Sequence, residues 1–156
     1  MKKFARIIGT GSYLPPKIVT NVDLEKTLDT SDEWIKARTG IKERRIVTNE
    51  STCDLAIEAS KKALEMSEIS PSEIDLIILA TTTPDKIFPA TATMLQDRLG
   101  ATCPAFDLQA VCAGFVFALS TAQQYIENGT AKNILVVGSE TMSKIVDWND
   151  RSTAVL

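Results

Sequence analysis

The sequence has 156 residues, of which 44% are hydrophobic and 24% are charged, and its net charge is −3 at pH 7. This length is sufficient for one domain with a hydrophobic core, and the small negative charge argues against bulk nucleic-acid binding. The chain has no apolar run long enough to cross a membrane and no signal-peptide pattern, so we expect a cytoplasmic protein with neither membrane nor nucleic-acid partners.

The cysteine and histidine content narrows the possible chemistry. The three cysteines, Cys53, Cys103 and Cys112, are odd in number and lack C-x-x-C spacing. Neither a disulfide framework nor a metal site is therefore predicted. A nucleophilic cysteine is most often assisted by a histidine, and this chain contains no histidine.

The N-terminal region is predicted to form a strand at residues 4–8, followed by a turn at the glycines Gly9 and Gly11. The G-x-G spacing invites comparison with a dinucleotide-binding loop. Two prolines follow directly, however, and prevent the helix that such a loop requires, so an ordinary turn is favoured. Asn21 is then expected to cap a short helix that continues to Leu28.

A second helix is predicted between Ser31, which suits the N-cap, and Gly40, which suits the position after the last turn. Trp34 and Arg38 are four residues apart, so they share one helix face. An indole can stack on a base and a guanidinium can pair with phosphate, so the pair could hold an adenine nucleotide. A core tryptophan beside a surface arginine is the alternative. The charged run at 42–45 is typical of a solvent-exposed face.

The remaining sequence alternates between helical and strand patterns. Ser51 and Asp54 have the spacing of a capping box at the start of a helix that reaches about Met66. Further strands are predicted at 74–81, 105–108 and 133–139, with helices at 90–99 and from Cys112 to Asn128. This order predicts an α/β fold with a mostly parallel mixed sheet and helices on both faces.

Cys112 lies where the strand at 105–108 passes into the longest apolar helix. The unpaired N–H groups and the dipole at a helix N-terminus favour the thiolate form of a cysteine. The next two residues are small and leave room for a substrate. Cys112 is therefore a candidate nucleophile, and a buried structural cysteine is the equally weighted alternative.

Ligands of parallel sheets bind beyond the carboxyl ends of the strands. Cys112, Phe88 and Met142 all follow predicted strand ends, so they could converge on one site. Phe88 could equally be a simple packing residue. Cys53 and Cys103 are interpreted as buried and inert.

Several motifs together resemble the β-ketoacyl-acyl-carrier-protein synthase III family. The motifs are GTGSYLP (9–15), TSDEWI (30–35), RTGIKER (38–44), ATTTPD (80–85), FPATA (88–92), CAGF (112–115), VVGSE (136–140) and DRST (150–153). They occur in order along the whole chain. The resemblance implies a thiolase-like fold with two similar α/β halves in five layers, working as a homodimer. It also implies an enzyme that condenses an acyl-CoA, usually acetyl-CoA, with malonyl-acyl carrier protein to start fatty-acid synthesis, with no cofactor other than the coenzyme A thioester substrate.

The resemblance also implies roles for individual residues. Cys112 matches the nucleophile that receives the acyl group as a thioester, and its N–H would be one oxyanion donor. The other implied site residues are Trp34 and Arg151 on either side of the adenine, Arg38 on a phosphate, Thr30 in the same coenzyme A neighbourhood, and Phe88 and Met142 at the acyl pocket.

The chain also departs from the family pattern. It has about half of the family's length, and it lacks the histidine and asparagine motifs that stabilise the enolate during condensation. We therefore expect residues 1–156 to form a single N-terminal half-domain that is truncated, inactive in the full condensation and poorly soluble by itself. Two alternatives are a non-catalytic half-domain that assembles with a partner or a second copy, and a related enzyme that makes hydroxymethylglutaryl-CoA or an aromatic polyketide.

Overall fold

The computed structural model describes residues 4–156, which divide into two compact units. The first unit contains residues 4–13 and 51–140, and the second contains residues 14–50 and 141–156. In chain order the elements are β1 (Lys17–Thr20), α1 (Asn21–Glu25), α2 (Asp32–Thr39), β2 (Glu43–Ile46), α3 (Thr52–Ser67), β3 (Leu76–Ala80), α4 (Thr91–Leu99), β4 (Ala105–Leu108), α5 (Gly114–Glu127), β5 (Ile134–Gly138) and α6 (Arg151–Ala154). Within the described range, no helix combines the length and apolar character needed to cross a bilayer.

A parallel sheet of three strands, ordered β4-β3-β5, forms the centre of the first unit. Strand β3 pairs in parallel with both neighbours, so Ile78 lies between Phe106 and Val136. All five residues of β3 are buried, as expected of a central strand covered on both faces. The predicted parallel arrangement is confirmed for these strands.

The side chains of β3 alternate between two hydrophobic clusters. Ile77 and Leu79 pack with residues of α3 and α4. Ile78 and Ala80 pack on the opposite face with α5, through Ala118 and Ala122 among others. Successive residues of a strand point to opposite faces, so this alternation places helices on both faces of the sheet, as the sequence predicts.

The predicted strand at residues 4–8 is wrong, because the structure assigns no strand there. Phe4 and Ile7 are exposed. An alternating apolar pattern can suggest a strand, but a strand also needs a neighbouring backbone to accept and donate its hydrogen bonds. The following glycines pack closely against α3. A Cβ at Gly9 would lie 2.3 Å from the Ala63 carbonyl oxygen, and one at Gly11 would lie 2.1 Å from the Ala59 carbonyl oxygen. Close approach to this helix therefore requires glycine.

The second unit contains an antiparallel pair of strands that the sequence analysis missed. Strand β1 pairs with β2, so Thr20 lies opposite Glu43. Lys42, Glu43 and Arg45 are exposed, as predicted for the run at 42–45, and Arg44 is the exception. Within it, Arg44 donates from Nη1 to Asn21 Oδ1 (2.6 Å) and from Nη2 to the Val155 carbonyl oxygen, and burial lowers the pKa of its guanidinium.

The capping of the first three helices agrees largely with the sequence. Ser31 caps α2, Gly40 ends it with a φ of 74°, and Ser51 and Asp54 form the predicted capping box on α3. The cap of α1 differs from prediction: Thr20 is the N-cap, and Asn21 is a buried first residue of the helix. The Asn21 amide is instead used in tertiary hydrogen bonds, which no local pattern reveals.

Two helices of the first unit receive carboxylates from other elements at their N-termini. Asp85, in the loop after β3, accepts hydrogen bonds from the backbone N–H groups of Thr52 and Cys53 at 2.7 and 2.8 Å. Asp107 of β4 accepts in the same way from Thr91 and Ala92 at 2.8 and 2.7 Å. These bonds satisfy N–H groups that have no partner within the helix and place negative charge at its positive end.

Replacing Asp85 with asparagine should lower the free energy of unfolding by about 1–3 kcal/mol, because one buried helix N–H loses its charged acceptor. Urea denaturation of the variant measures the change. Asp97→Asn is the matched control, since Asp97 is an exposed residue of α4, and it should change stability little. Equal stability of the two variants would contradict this account of the α3 N-terminus.

Candidate active site

The predicted site residues are distributed over both units. Cys112 and Phe88 belong to the first unit, and the others, Thr30, Trp34, Arg38, Met142 and Arg151, belong to the second. Each group is described within its own unit.

Cys112 occupies a short 3-10 turn, Val111–Ala113, between strand β4 and helix α5. The sequence analysis started the helix at Cys112, whereas the α-helix itself begins at Gly114. Cys112 is exposed, whereas Cys53 and Cys103 are buried and burial raises the pKa of both of their thiols. A thiol must ionise and be reached by its substrate to act as a nucleophile, so Cys112 is the cysteine suited to covalent chemistry.

Two glycines let the start of α5 rest on the carboxyl ends of the neighbouring strands. A Cβ at Gly114 would lie 3.2 Å from Cβ of Ala80, the last residue of β3. A Cβ at Gly138, the last residue of β5, would lie 3.2 Å from Cδ2 of Phe115. The turn that carries Cys112 is thereby held at the sheet edge where parallel α/β proteins bind ligands.

The backbone just before Cys112 is strained. Val111 has a φ of +48°, a left-handed conformation that is rare for a β-branched residue. Such a conformation costs on the order of 1–3 kcal/mol and persists only where the surrounding structure enforces it. Here the sharp turn brings the chain from β4 into α5 and leaves Cys112 exposed. No sequence pattern indicated this conformation.

The N-terminus of α5 contrasts with those of α3 and α4. Its N-cap is Ala113, which makes no side-chain capping bond, whereas carboxylates occupy the ends of the other two helices. A helix end without an acidic cap retains its partial positive charge. That charge favours an anion that forms beside this turn, such as the oxyanion of a tetrahedral intermediate.

Phe88 lies in the loop between β3 and α4 and is 82% exposed, and its neighbour Ile87 is 95% exposed. Large apolar side chains with this exposure are candidates for contact with a ligand or another protein surface. The alternative that Phe88 is a simple packing residue does not hold within the described residues. Its predicted place in the acyl pocket stays a prediction.

The second unit brings three of the predicted coenzyme A residues together. Trp34, on α2, has the guanidinium of Arg151 at 4.2 Å and that of Arg38 at 5.5 Å from its ring centroid. Arg38 lies one turn along the same helix, and Arg151 is the first residue of α6. Trp34 is half-buried, so its ring is anchored in the core while two cations lie over it.

Three buried polar atoms of the same unit make no hydrogen bond to any described residue: Thr30 Oγ1, Arg44 Nε and Arg151 Nε. Buried polar atoms are normally paired, and two of these three atoms belong to residues predicted to bind coenzyme A. Met142 begins a 3-10 turn, Met142–Lys144, and is 48% exposed.

Sequence reasoning gave no role to Glu140, which lies in the VVGSE motif. Its carboxylate accepts hydrogen bonds from three consecutive residues, Thr81, Thr82 and Thr83. The signal was present, since the ATTTPD and VVGSE motifs both follow predicted strands. What the sequence did not show is that β3 and β5 are adjacent.

Comparison with known proteins identifies the relatives of this chain. The family model for 3-oxoacyl-[acyl-carrier-protein] synthase III matches residues 106–156, which include Cys112, Met142 and Arg151. The β-ketoacyl-[acyl-carrier-protein] synthase III of Vesicomyosocius okutanii is 70% identical over 100% of this chain and 50% of its own length. Over its whole length, the chain is therefore similar to the first half of β-ketoacyl-[acyl-carrier-protein] synthase III proteins. It spans about half the length of the curated relatives it matches.

Solved structures with similar sequences support the fold as well. The synthase III of Aquifex aeolicus is 54% identical, with a TM-score of 0.94 over 100% of this chain and 50% of its own. The priming β-ketosynthase of the R1128 polyketide pathway is 39% identical, with a TM-score of 0.96 over 99% of this chain and 47% of its own. The predicted α/β, thiolase-like fold is confirmed.

Replacing Val111 with glycine should raise the free energy of unfolding by about 1 kcal/mol, because relief of the left-handed strain exceeds the entropic cost of a glycine. Ala113→Gly is the matched control, since Ala113 has an ordinary φ of −88° and should lose about 0.5–1 kcal/mol instead. Chemical denaturation compares the two. A loss of stability in both variants would show that Val111 is not strained.

Proposed function

We propose that this chain carries the acyl-accepting half of a β-ketoacyl-acyl-carrier-protein synthase III that starts fatty-acid synthesis. The observation that carries the proposal is an exposed cysteine, Cys112, held in a strained turn at the carboxyl edge of a parallel sheet. Its relatives bear the synthase III name. The substrates are an acyl-CoA, acetyl-CoA first among them, and malonyl-acyl carrier protein.

The first chemical step is transfer of the acyl group from coenzyme A to Cys112. The thiolate attacks the thioester carbonyl carbon, which gives a tetrahedral oxyanion. The bond from carbon to the coenzyme A sulfur then breaks, and coenzyme A leaves as a thiolate that takes up a proton. One thioester replaces another, so the exchange is close to neutral in free energy. The uncapped N-terminus of α5 favours the oxyanion.

The nucleotide part of coenzyme A is proposed to bind the second unit. Trp34 offers an aromatic face to the adenine, Arg151 a second planar group, and Arg38 a cation for a phosphate. Because the Arg151 guanidinium lies 4.2 Å from the indole centroid, an adenine that stacks on this face has to displace it. Thr30 Oγ1 is a further group for a polar contact. Phe88 and Met142 are proposed to border the acyl group.

The condensation itself requires donors to the enolate oxygen, which forms when malonyl loses carbon dioxide. The family resemblance assigns these donors to a histidine and an asparagine, and the sequence contains no histidine. We therefore assign the acyl transfer, and not the condensation, to these 156 residues. A homodimer of a two-half protein is the proposed active assembly, and residues 1–156 are proposed to be its N-terminal half.

Incubation with acetyl-CoA should add one acetyl group to the chain, and the Cys112→Ala variant should lose this adduct, because the other two thiols are buried. Intact-mass measurement detects the adduct, and peptide mapping locates it. An adduct on Cys53 or Cys103, or one that survives in Cys112→Ala, would contradict the assignment. Absence of any adduct would favour a non-catalytic half-domain.

Adenosine 3′,5′-bisphosphate is a probe of the nucleotide site that carries no acyl group. Trp34→Ala should weaken its binding about 5- to 150-fold, since a base–aromatic stack contributes about 1–3 kcal/mol. Arg38→Gln should also weaken binding. Lys36→Gln is the matched control, because it removes one positive charge from the same helix. The Lys36 side chain is already paired with Asp32 at 2.6 Å, so this variant should bind the bisphosphate as tightly as the unchanged protein does. Calorimetry gives the constants, and equal losses for both charge variants would exclude a specific role for Arg38.

A further inference from the structure

Parallel strands β3 and β5 are joined by a carboxylate at each end. At the amino end, Asp75 accepts hydrogen bonds from the backbone N–H groups of Lys132 and Asn133 at 2.7 and 2.9 Å. At the carboxyl end, Glu140 reaches back to the residues that follow β3. The two carboxylates thus hold the same strand pair from opposite ends.

The carboxyl-end contact is much more extensive than pairing of the strands requires. Glu140 Oε1 accepts from the N–H and hydroxyl groups of Thr82 at 2.8 and 2.7 Å. Its Oε2 accepts from the N–H and hydroxyl groups of Thr83 at 3.1 and 2.6 Å, and from the Thr81 hydroxyl at 3.3 Å. One carboxylate therefore fixes three consecutive residues.

The electrostatics agree with this geometry. Desolvation opposes the charge on Glu140, but the hydrogen bonds from Thr83 and Thr82 outweigh it, and the pKa of the carboxyl is lowered. Hydrogen bonds to an ionised acceptor are about twice as strong as neutral ones. The ionised form of Glu140 is the one that holds the loop.

The loop held by Glu140 is anchored twice more before it reaches α4. Asp85 binds the N-terminus of α3, and Asp107 binds that of α4. Residues 86–90 lie between these anchors, and they include the exposed side chains of Ile87 and Phe88. The direction in which this apolar tip projects is therefore set by carboxylates on either side of it.

We propose that Glu140 is a positioning residue that, through Thr81, Thr82 and Thr83, holds the loop carrying Phe88 and thereby sets which acyl groups are accepted by Cys112. The inference rests on the proposed acyl transfer. Its physical basis is that a firmly held apolar wall discriminates between acyl chains of different length, whereas a loose wall accommodates them more equally. The same sheet edge carries the Cys112 turn, through the contacts of Gly114 with Ala80 and of Phe115 with Gly138.

The test compares Glu140→Gln with Asp75→Asn. Each variant removes the charge of a carboxylate that joins β3 to β5, which weakens the hydrogen bonds that it accepts. In Glu140→Gln one of two accepting oxygens also becomes an NH2 group, which cannot accept from an N–H group, whereas both bonds to Asp75 end on Oδ2. Asp75 lies at the other end of the strands, so its variant controls for weakening of the strand pair. Glu140→Gln should lower the thermal midpoint by about 2–4 °C, and Asp75→Asn by less. Amide hydrogen exchange should speed up at Thr82 and Thr83 in the first variant, and at Lys132 and Asn133 in the second.

The deciding measurement is the ratio of the rates at which acetyl-CoA and hexanoyl-CoA acylate Cys112, followed by intact mass. In Glu140→Gln this ratio should move toward one by about 10-fold relative to the unchanged protein. In Asp75→Asn both rates should keep their ratio. A general loss of structure cannot produce this difference, because it lowers both rates together.

The outcomes separate the inference from the function on which it rests. An unchanged rate ratio in Glu140→Gln would overturn the role in selectivity, even where both acyl-CoAs react. Unchanged exchange at Thr82 and Thr83 would overturn the positioning itself, and this readout does not depend on any acyl transfer. If the unchanged protein takes up neither acyl group, the proposed function fails, and with it the role of Glu140 in selectivity.

Discussion

The first unit depends on the complete burial of strand β3 between two partners and two layers of helix. Its five residues are all apolar and all buried, and they alternate between the cluster with α3 and α4 and the cluster with α5. A strand in this position determines where the neighbouring strands and helices pack. Its carboxyl end supports α5 through the contact of Ala80 with Gly114, and this contact determines where the Cys112 turn begins.

Carboxylates organise the ends of elements in this unit. Asp85 and Asp107 each bind two helix N–H groups, and Asp75 and Glu140 each bind backbone N–H groups of a neighbouring segment. Each carboxylate satisfies groups that secondary structure leaves unpaired. Helix α5 is different, because Ala113 at its N-cap provides no such bond. The helix that follows the proposed nucleophile is thus the one whose N-terminal charge remains open to a reacting anion.

In the second unit, Trp34 combines core packing with its proposed role in nucleotide binding. Trp34 packs against the cluster that contains Leu24, Ile35 and Val155, while Arg151 and Arg38 lie over its ring. From the sequence, a core tryptophan and a nucleotide-binding tryptophan were two separate alternatives. The structure makes them compatible, because one part of the Trp34 ring is packed in the core and another part is accessible. Anchoring on one side reduces the entropy that the ring loses when a base stacks on it.

The sequence by itself determined the features that depend on local patterns. The capping residues Ser31 and Ser51, the C-terminal Gly40, and the apolar strands with helices between them were all predicted and are all present. Cap geometry and burial periodicity involve residues only a few positions apart, so a sequence displays them directly. The family motifs likewise predicted Cys112 as the nucleophile, before the structure of the surrounding turn was known.

Tertiary structure alone decided which segments meet. The charged run at 42–45 is mostly exposed, as its pattern predicts, but its backbone pairs with β1 and the half-buried Arg44 donates a hydrogen bond to Asn21. The apolar pattern of residues 4–8 predicts a strand, yet the structure assigns none there. Strand formation depends on hydrogen bonds with a neighbouring strand and not on the sequence pattern alone. The left-handed turn at Val111 and the five hydrogen bonds to Glu140 follow from the order of β4, β3 and β5. That order joins residues dozens of positions apart, and no local pattern encodes it.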